Sequence, residues 1–304
     1  MPPYHILSMD GGGIRGLLTI VLIQRLESAH PGFLEQVELF AGTSAGAILA
    51  LGLAYGLPSE RIRNLYETSS QRVFSDTIVD DVRDLGKLLG ADYNLDPLIE
   101  ELTKEFDDHT LAVLNKKVLI TTFDLDNNPD DPFMVRTWKA KFFHNFPGDD
   151  SDAREKIVDV AVRTSAAPTY FPIYQGYIDG GVVATNPSVS ALAQALHPDT
   201  GGQQIGDVIL LSMGTGHNPR YLPQVDADWG FVQWAPHLVR LMLEGGAGLA
   251  DYQSRQVLGD RYFRINPVLP VPIDLDRIDQ IPLLVDIANQ VDLQPALRWL
   301  EKYF

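Results

Sequence analysis

The segment Gly42-Thr43-Ser44-Ala45-Gly46 has the residue types of a nucleophile turn. The expected strand Glu38 to Ala41 precedes it and the small-residue stretch Ala45 to Tyr55 follows, so Ser44 sits where a strand turns abruptly into a helix. Small neighbours at 42, 45 and 46 let backbone and helix approach and the hydroxyl project outward. The new helix points free N–H groups and the positive end of its dipole at anything bound there. Those features suit attack on an acyl carbon, which creates an oxyanion. A plain tight turn with a serine N-cap produces the same pattern, so its meaning depends on the rest of the chain.

Two further loops carry unusual residues. Asp10-Gly11-Gly12-Gly13-Ile14-Arg15-Gly16 follows the apolar run Tyr4 to Met9 and precedes a helical pattern at Leu17, Ile20, Val21, Ile23 and Leu26. Consecutive glycines can present N–H groups to an anion at close range. Gly11-x-Gly13-x-x-Gly16 also satisfies a dinucleotide fingerprint, but that requires an acidic residue ending a strand about 20 positions later. Glu38 lies near that place and precedes Leu39-Phe40 and the serine turn, so the anion cradle is the better reading. The third loop, Asp179-Gly180-Gly181, ends an expected strand from Ile173 to Ile178. In a mostly parallel α/β sheet the carboxyl ends of strands line one crevice, and there the three loops would converge. Ser44 would attack, the N–H groups of Gly11 to Gly13 would hold the oxyanion, and a base would take the serine proton.

The base is either a carboxylate or a histidine. The chain has seven histidines, and among them His217 follows the turn-like Gly214-Thr215-Gly216. A Ser-acid-His hydrolase places its serine turn after several strands, whereas here it follows the second expected strand. This favours Asp179 as direct partner. A carboxylate near its usual pKa of about 3.9 is a weak base, and burial would raise it.

Asp10-Gly-Gly-Gly-Ile-Arg-Gly16, Gly42-Thr-Ser-Ala-Gly46, Ser165-Ala-Ala-Pro168-Thr-Tyr-Phe171, Asp179-Gly-Gly181 and Asn186-Pro187 together resemble the patatin family of lipid acyl hydrolases, in family order and across residues 5 to 217. The resemblance implies a three-layer α/β/α fold with a central, mostly parallel sheet and a catalytic dyad matching Ser44 as nucleophile and Asp179 as general base. It implies an oxyanion hole from Gly11, Gly12 and Gly13, supported by Arg15. It implies no metal and no cofactor, and no need of a histidine. The substrates implied are phospholipids or galactolipids met transiently at a membrane or micelle interface. A non-lipid carboxylesterase or acyltransferase, a ligand-activated effector phospholipase and a catalytically silent lipid-binding protein are the alternatives.

Composition agrees with that class. At 304 residues and 45% hydrophobic content there is ample core, and one domain over 1–304 is expected, with a motif-bearing part to about 217 and a possible lid or cap in 218–304. A net charge of −16 argues against a nucleic-acid partner, and the absence of cysteine excludes a thiol nucleophile. The N-terminus lacks a basic stretch followed by an apolar run, and no long apolar window is present, so a soluble, cytoplasmic chain is expected. Asp80, Asp81 and Asp84 read as a solvated face. The acidic loop 124 to 132 lacks the glycine and terminal glutamate of a calcium loop. Strands are expected at Val118 to Phe123 and Phe133 to Trp138, and a helix from Pro58 to about Phe74. Phe231, Trp234, Leu238, Leu241 and Met242 form one apolar stripe at helical spacing, read as core with a lid or interfacial face as the alternative.

Overall fold

Strands buried on both faces appear in sequence as nearly unbroken apolar runs, and Ile6 to Met9 and Val208 to Met213 are such runs. In the computed structural model, which describes residues 2–74, 90–128, 133–222 and 228–304, both are central. Asp80, Asp81, Asp84 and the end of the acidic loop lie outside the described residues. The strands are β1 (Tyr4–Met9), β2 (Val37–Thr43), β3 (Lys117–Asp124), β4 (Lys139–His144), β5 (Tyr177–Asp179), β6 (Val208–Met213) and β7 (Tyr262–Ile265). They form one sheet in the order β4-β3-β2-β1-β6-β7, with β5 added on β3. From β3 to β7 all neighbours along that order are parallel, and β4 and β5 are antiparallel to β3.

Helices α1 (Gly16–Ala29), α2 (Ala45–Tyr55), α3 (Ser59–Asn64), α4 (Ser70–Val73), α5 (Asp96–Phe106) and α6 (Ile157–Ser165) precede β5. The short α7 (Gly181–Ala184) and α8 (Ser188–Leu196) follow it, then α9 (Phe231–Leu258), α10 (Ile281–Gln290) and α11 (Gln294–Tyr303). Successive side chains of a strand point to opposite faces, and the two cores divide accordingly. Leu7, Met9 and Phe40 face a large core shared with α1, α2, α6 and α10. Ile6, Leu39 and Ala41 face a smaller one shared with α8 and Leu258 of α9. The result is the expected three layers.

The register along β3 places the site. β2 pairs with β3 from Leu39↔Lys117 to Thr43↔Thr121 and then departs at Ser44. The next residues of β3 pair with β5, as Thr122↔Asp179, Phe123↔Ile178 and Asp124↔Tyr177. Since β4 occupies the other edge of β3, β2 and β5 share one edge and meet end to end.

Several expected elements differ. No strand begins at Ile173: an isolated bridge between Tyr174 and Tyr177 closes a tight turn at Gln175 and Gly176, whose φ values are 50° and 84°, and only Tyr177–Asp179 pairs with the sheet. Residues 133 to 138 form a loop, with Phe133 94% exposed, and the strand is the more polar Lys139–His144 that follows. Local bonds hold that loop away from β3: the Asn127 amide donates to the Thr137 carbonyl at 3.1 Å and Arg136 Nε to Asp126 at 2.7 Å. The helix expected over 58 to 74 contains a π-helical turn, Leu65–Ser69. β7, from a region without motifs, extends the sheet beyond β6. Along α9, Phe231, Trp234, Leu238, Leu241 and Met242 face solvent, which corrects the reading of that stripe as core.

Candidate active site

Ser44 has φ 53° and ψ −124°, a strained conformation for a residue with a side chain. It is tolerated because its neighbours need no side-chain room. A Cβ on Gly42 would lie 2.3 Å from the Gly46 carbonyl oxygen, and one on Gly46 would lie 2.2 Å from that of Met9. Strand and helix therefore touch through bare backbone. The turn is also held from outside: the Ser44 amide donates to Thr164 Oγ1 at 2.9 Å, and that hydroxyl donates to the Thr121 carbonyl at 2.5 Å. Thr164, at the end of α6, is a residue that sequence reading passed over, because nothing in its neighbourhood signals a partner 120 positions away.

Replacing Thr164 with valine keeps the shape and removes the clamp. A buried amide left without an acceptor costs about 1–3 kcal/mol, and a serine displaced by about 1 Å loses on the order of 100-fold in turnover. Both losses are expected for Thr164→Val, by chemical denaturation and by ester hydrolysis. Unchanged kcat in a destabilised variant would mean that the glycines alone hold the turn.

Asp179, 2% exposed, ends β5 directly against this turn. Its own amide donates to the Ala166 carbonyl at 2.9 Å, so two nearby residues of one segment, Thr164 and Ala166, hold both Ser44 and Asp179. Burial pushes the Asp179 carboxyl up to about 6; hydrogen bonds from the Ser44 hydroxyl and the Gly181 amide, the latter at 2.6 Å, oppose the shift. Among the described residues no histidine hydrogen-bonds to Asp179, and His217 is exposed, its backbone bridged to Val268.

The glycine loop closes the other side. A Cβ on Gly11 would be 3.3 Å from that of Ser44. Gly12 lies against Thr215, whose Oγ1 donates to the Gly11 carbonyl at 2.9 Å, and Gly13, at φ 57°, lies against the Leu275 carbonyl. The three amides are not equivalent: that of Gly11 donates to the Thr185 carbonyl at 3.0 Å, while those of Gly12 and Gly13 make no hydrogen bond to the described residues. Buried Arg15 reaches back with Nε to the Gly12 carbonyl at 3.3 Å and outward to Glu244 of α9 at 3.3 Å. The preceding Asp10 is held by a buried ion pair with Arg264 of β7. Thr185, Thr215 and Arg264 have no local sequence signal. Thr185 reaches the site from the end of α7, whereas Thr215 and Arg264 depend on β6 and β7 extending the sheet to its edge.

From Ser44 an apolar pocket runs between α2, the π-helical turn and the segment after α6, lined by Ile48, Tyr66, Val73, Phe171 and Leu275 among others. Tyr66, in that turn, donates its hydroxyl to the Ala45 carbonyl at 2.6 Å, tying the pocket wall to the nucleophile turn. Ser165 also lines the pocket, and its buried hydroxyl has no partner among the described residues.

The sequence matches the patatin-like phospholipase family over residues 7–192, a span that runs from β1 through the serine turn and Asp179 into α8. The chain belongs to the patatin-like phospholipase family. CotR of Bacillus subtilis, named as a candidate sporulation hydrolase, is 31% identical over 99% of this chain and 98% of its own. A protein of Pseudomonas aeruginosa named cGAMP-activated phospholipase is 33% identical, over 88% of this chain and 79% of its own. Among solved structures, VipD from Legionella pneumophila aligns over 95% of this chain and 67% of its own, at 14% identity and a TM-score of 0.42. Among the described residues, no helix is long and apolar enough to cross a membrane.

Proposed function

We propose that this member of the patatin-like phospholipase family is a serine lipid acyl hydrolase that releases fatty acid from phospholipids or galactolipids through an acyl-Ser44 intermediate. Ser44 Oγ attacks the ester carbonyl carbon as its proton passes to Asp179. The tetrahedral oxyanion is received by the open amides of Gly12 and Gly13, and donors of this type are each worth about 3 kcal/mol of barrier. Arg15 supports the loop by holding the Gly12 carbonyl, and the Thr185 carbonyl occupies the Gly11 amide. The carbonyl re-forms as the ester C–O bond breaks, and the proton on Asp179 goes to the departing alcohol. Water, deprotonated by Asp179, then attacks the acyl-serine; a second collapse releases fatty acid and returns the proton to Ser44.

The observation that carries this reading is the strained Ser44 turn set against the buried carboxyl of Asp179, which burial pushes up to about 6, at an apolar pocket. A pocket wall of Ile48, Val73 and Phe171 favours an acyl chain over a polar acyl group. Similarity to a cGAMP-activated phospholipase is the reason to assay with and without a cyclic dinucleotide.

The test is fatty acid release from mixed phospholipid and galactolipid vesicles, with a short-chain soluble ester in parallel. Release of long-chain acid is expected, and the lipid that is consumed names the head-group preference. Hydrolysis confined to the short ester, with or without the dinucleotide, would replace the lipid reading with that of a non-lipid carboxylesterase.

A further inference from the structure

α9 is 28 residues long and has two unlike faces. One face is seated on the site: the Leu243 carbonyl accepts from the Thr185 hydroxyl, Glu244 pairs with Arg15, and Ala250 and Ser254 are buried. Half a turn around, Phe231, Trp234, Leu238, Leu241, Met242, Leu249 and Tyr252 recur at steps of three, four or seven within one narrow arc, with Met242 directly beside Leu241. All of them face solvent, from 39% exposed at Trp234 to 80% at Phe231. At 1.5 Å per residue this apolar line is about 30 Å long. Outward faces of helices are ordinarily polar, and contiguous apolar surface of this extent marks an interaction site.

We propose that this outward face of α9 is the surface on which the protein lies on a lipid bilayer, delivering the mouth of the acyl pocket to the membrane. Charge agrees with a membrane as occupant: in a chain of net charge −16, the segment from Trp229 to Leu243 contains no aspartate or glutamate, so this stretch sets no carboxylate against lipid phosphates. Composition agrees as well, since the indoles of Trp229 and Trp234, with ring centres 5.2 Å apart, are amphipathic and favour the boundary between water and acyl chains. Position agrees too: Arg240, on the inward side of the same helix, pairs with Asp274 at 3.4 Å and lies beside Tyr170, while Tyr170 and Leu275 line the pocket, so α9 borders the pocket rim. The proposal rests on the lipid reading of the site.

The experiment is sedimentation of the full chain with phosphatidylcholine vesicles containing a minor fraction of phosphatidylglycerol, together with fatty acid release. The double variant Leu238→Glu, Leu241→Glu is expected to lose at least about tenfold in both vesicle partition and vesicle hydrolysis. Its hydrolysis of a soluble short-chain ester and its far-UV circular dichroism are expected to match wild type. Ile205→Glu, an exposed position just before β6 at the opposite end of the sheet, is expected to change nothing. Ser44→Ala is expected to sediment like wild type while releasing no acid, so membrane docking and catalysis fail separately. Wild-type partition in the double variant would overturn the proposal. So would a wild-type dimer that the double variant converts to monomer, which would assign the face to a second copy.

Discussion

Ser44→Ala is expected to lose at least about 10⁴-fold in hydrolysis of any ester the protein accepts, because a missing nucleophile removes the covalent route entirely. Its fold is expected to persist. Alanine occupies the same cramped turn, held by Thr164 and by Gly42 and Gly46, and only one hydroxyl leaves the site. Loss of that hydroxyl also withdraws a hydrogen bond that holds the Asp179 carboxyl down, so its pKa should rise further in the variant. The checks are a burst-phase assay with a chromogenic ester for the activity and carboxyl titration by NMR for the pKa. Residual turnover within about tenfold of wild type would remove Ser44 from the mechanism.

Asp179→Asn separates catalysis from stability because the two should move in opposite directions. As a base, Asp179 works only when ionised, and burial places its carboxyl at about 6. Wild-type kcat/KM should therefore rise with pH through about 6 to a plateau, while the variant loses on the order of 10³–10⁴-fold and shows no such limb. Stability follows the opposite sign. The folded pKa lies above the ordinary value of 3.8, so the folded state prefers the protonated acid; that contribution is complete below pH 3.8 and lost as pH rises through about 6. At pH values above this window the wild type holds an ionised carboxylate in a desolvated place, and a neutral carboxamide relieves it. The carboxamide oxygen of the substituted side chain can still accept from the Gly181 amide. The variant should accordingly be more stable than wild type above pH 7, by on the order of 1–3 kcal/mol, with the difference disappearing in acid. Thermal unfolding across pH measures this directly. A variant that keeps the acidic limb and most of its activity would move the base to another group, with His217 the first to test.

Local requirements were readable in the sequence, and long-range ones were not. Gly42 and Gly46 stand out because a strand turning into a helix needs bare backbone within a few residues, and the structure shows that crowding. Ile6 to Met9 and Val208 to Met213 were legible as central strands because burial on both faces leaves an apolar run. The order of the motifs and the family they resemble followed from the same short segments. What brings Asp179 to Ser44 is different in kind. It depends on the register of β3, along which the pairing with β2 ends at Thr121 and that with β5 begins at Thr122 from the opposite direction, and no residue in either strand encodes that meeting alone. Thr164 as a clamp, and Thr185 as the acceptor that occupies the Gly11 amide while those of Gly12 and Gly13 stay open, likewise depend on contacts across more than 100 residues. For α9 the sequence determined that one side is apolar, because periodicity is a local property. Only the tertiary structure decided which side faces inward: the site loops supply partners for Leu243 and Glu244, and Ala250 is buried on the same side, so the opposite, more apolar line is left toward solvent.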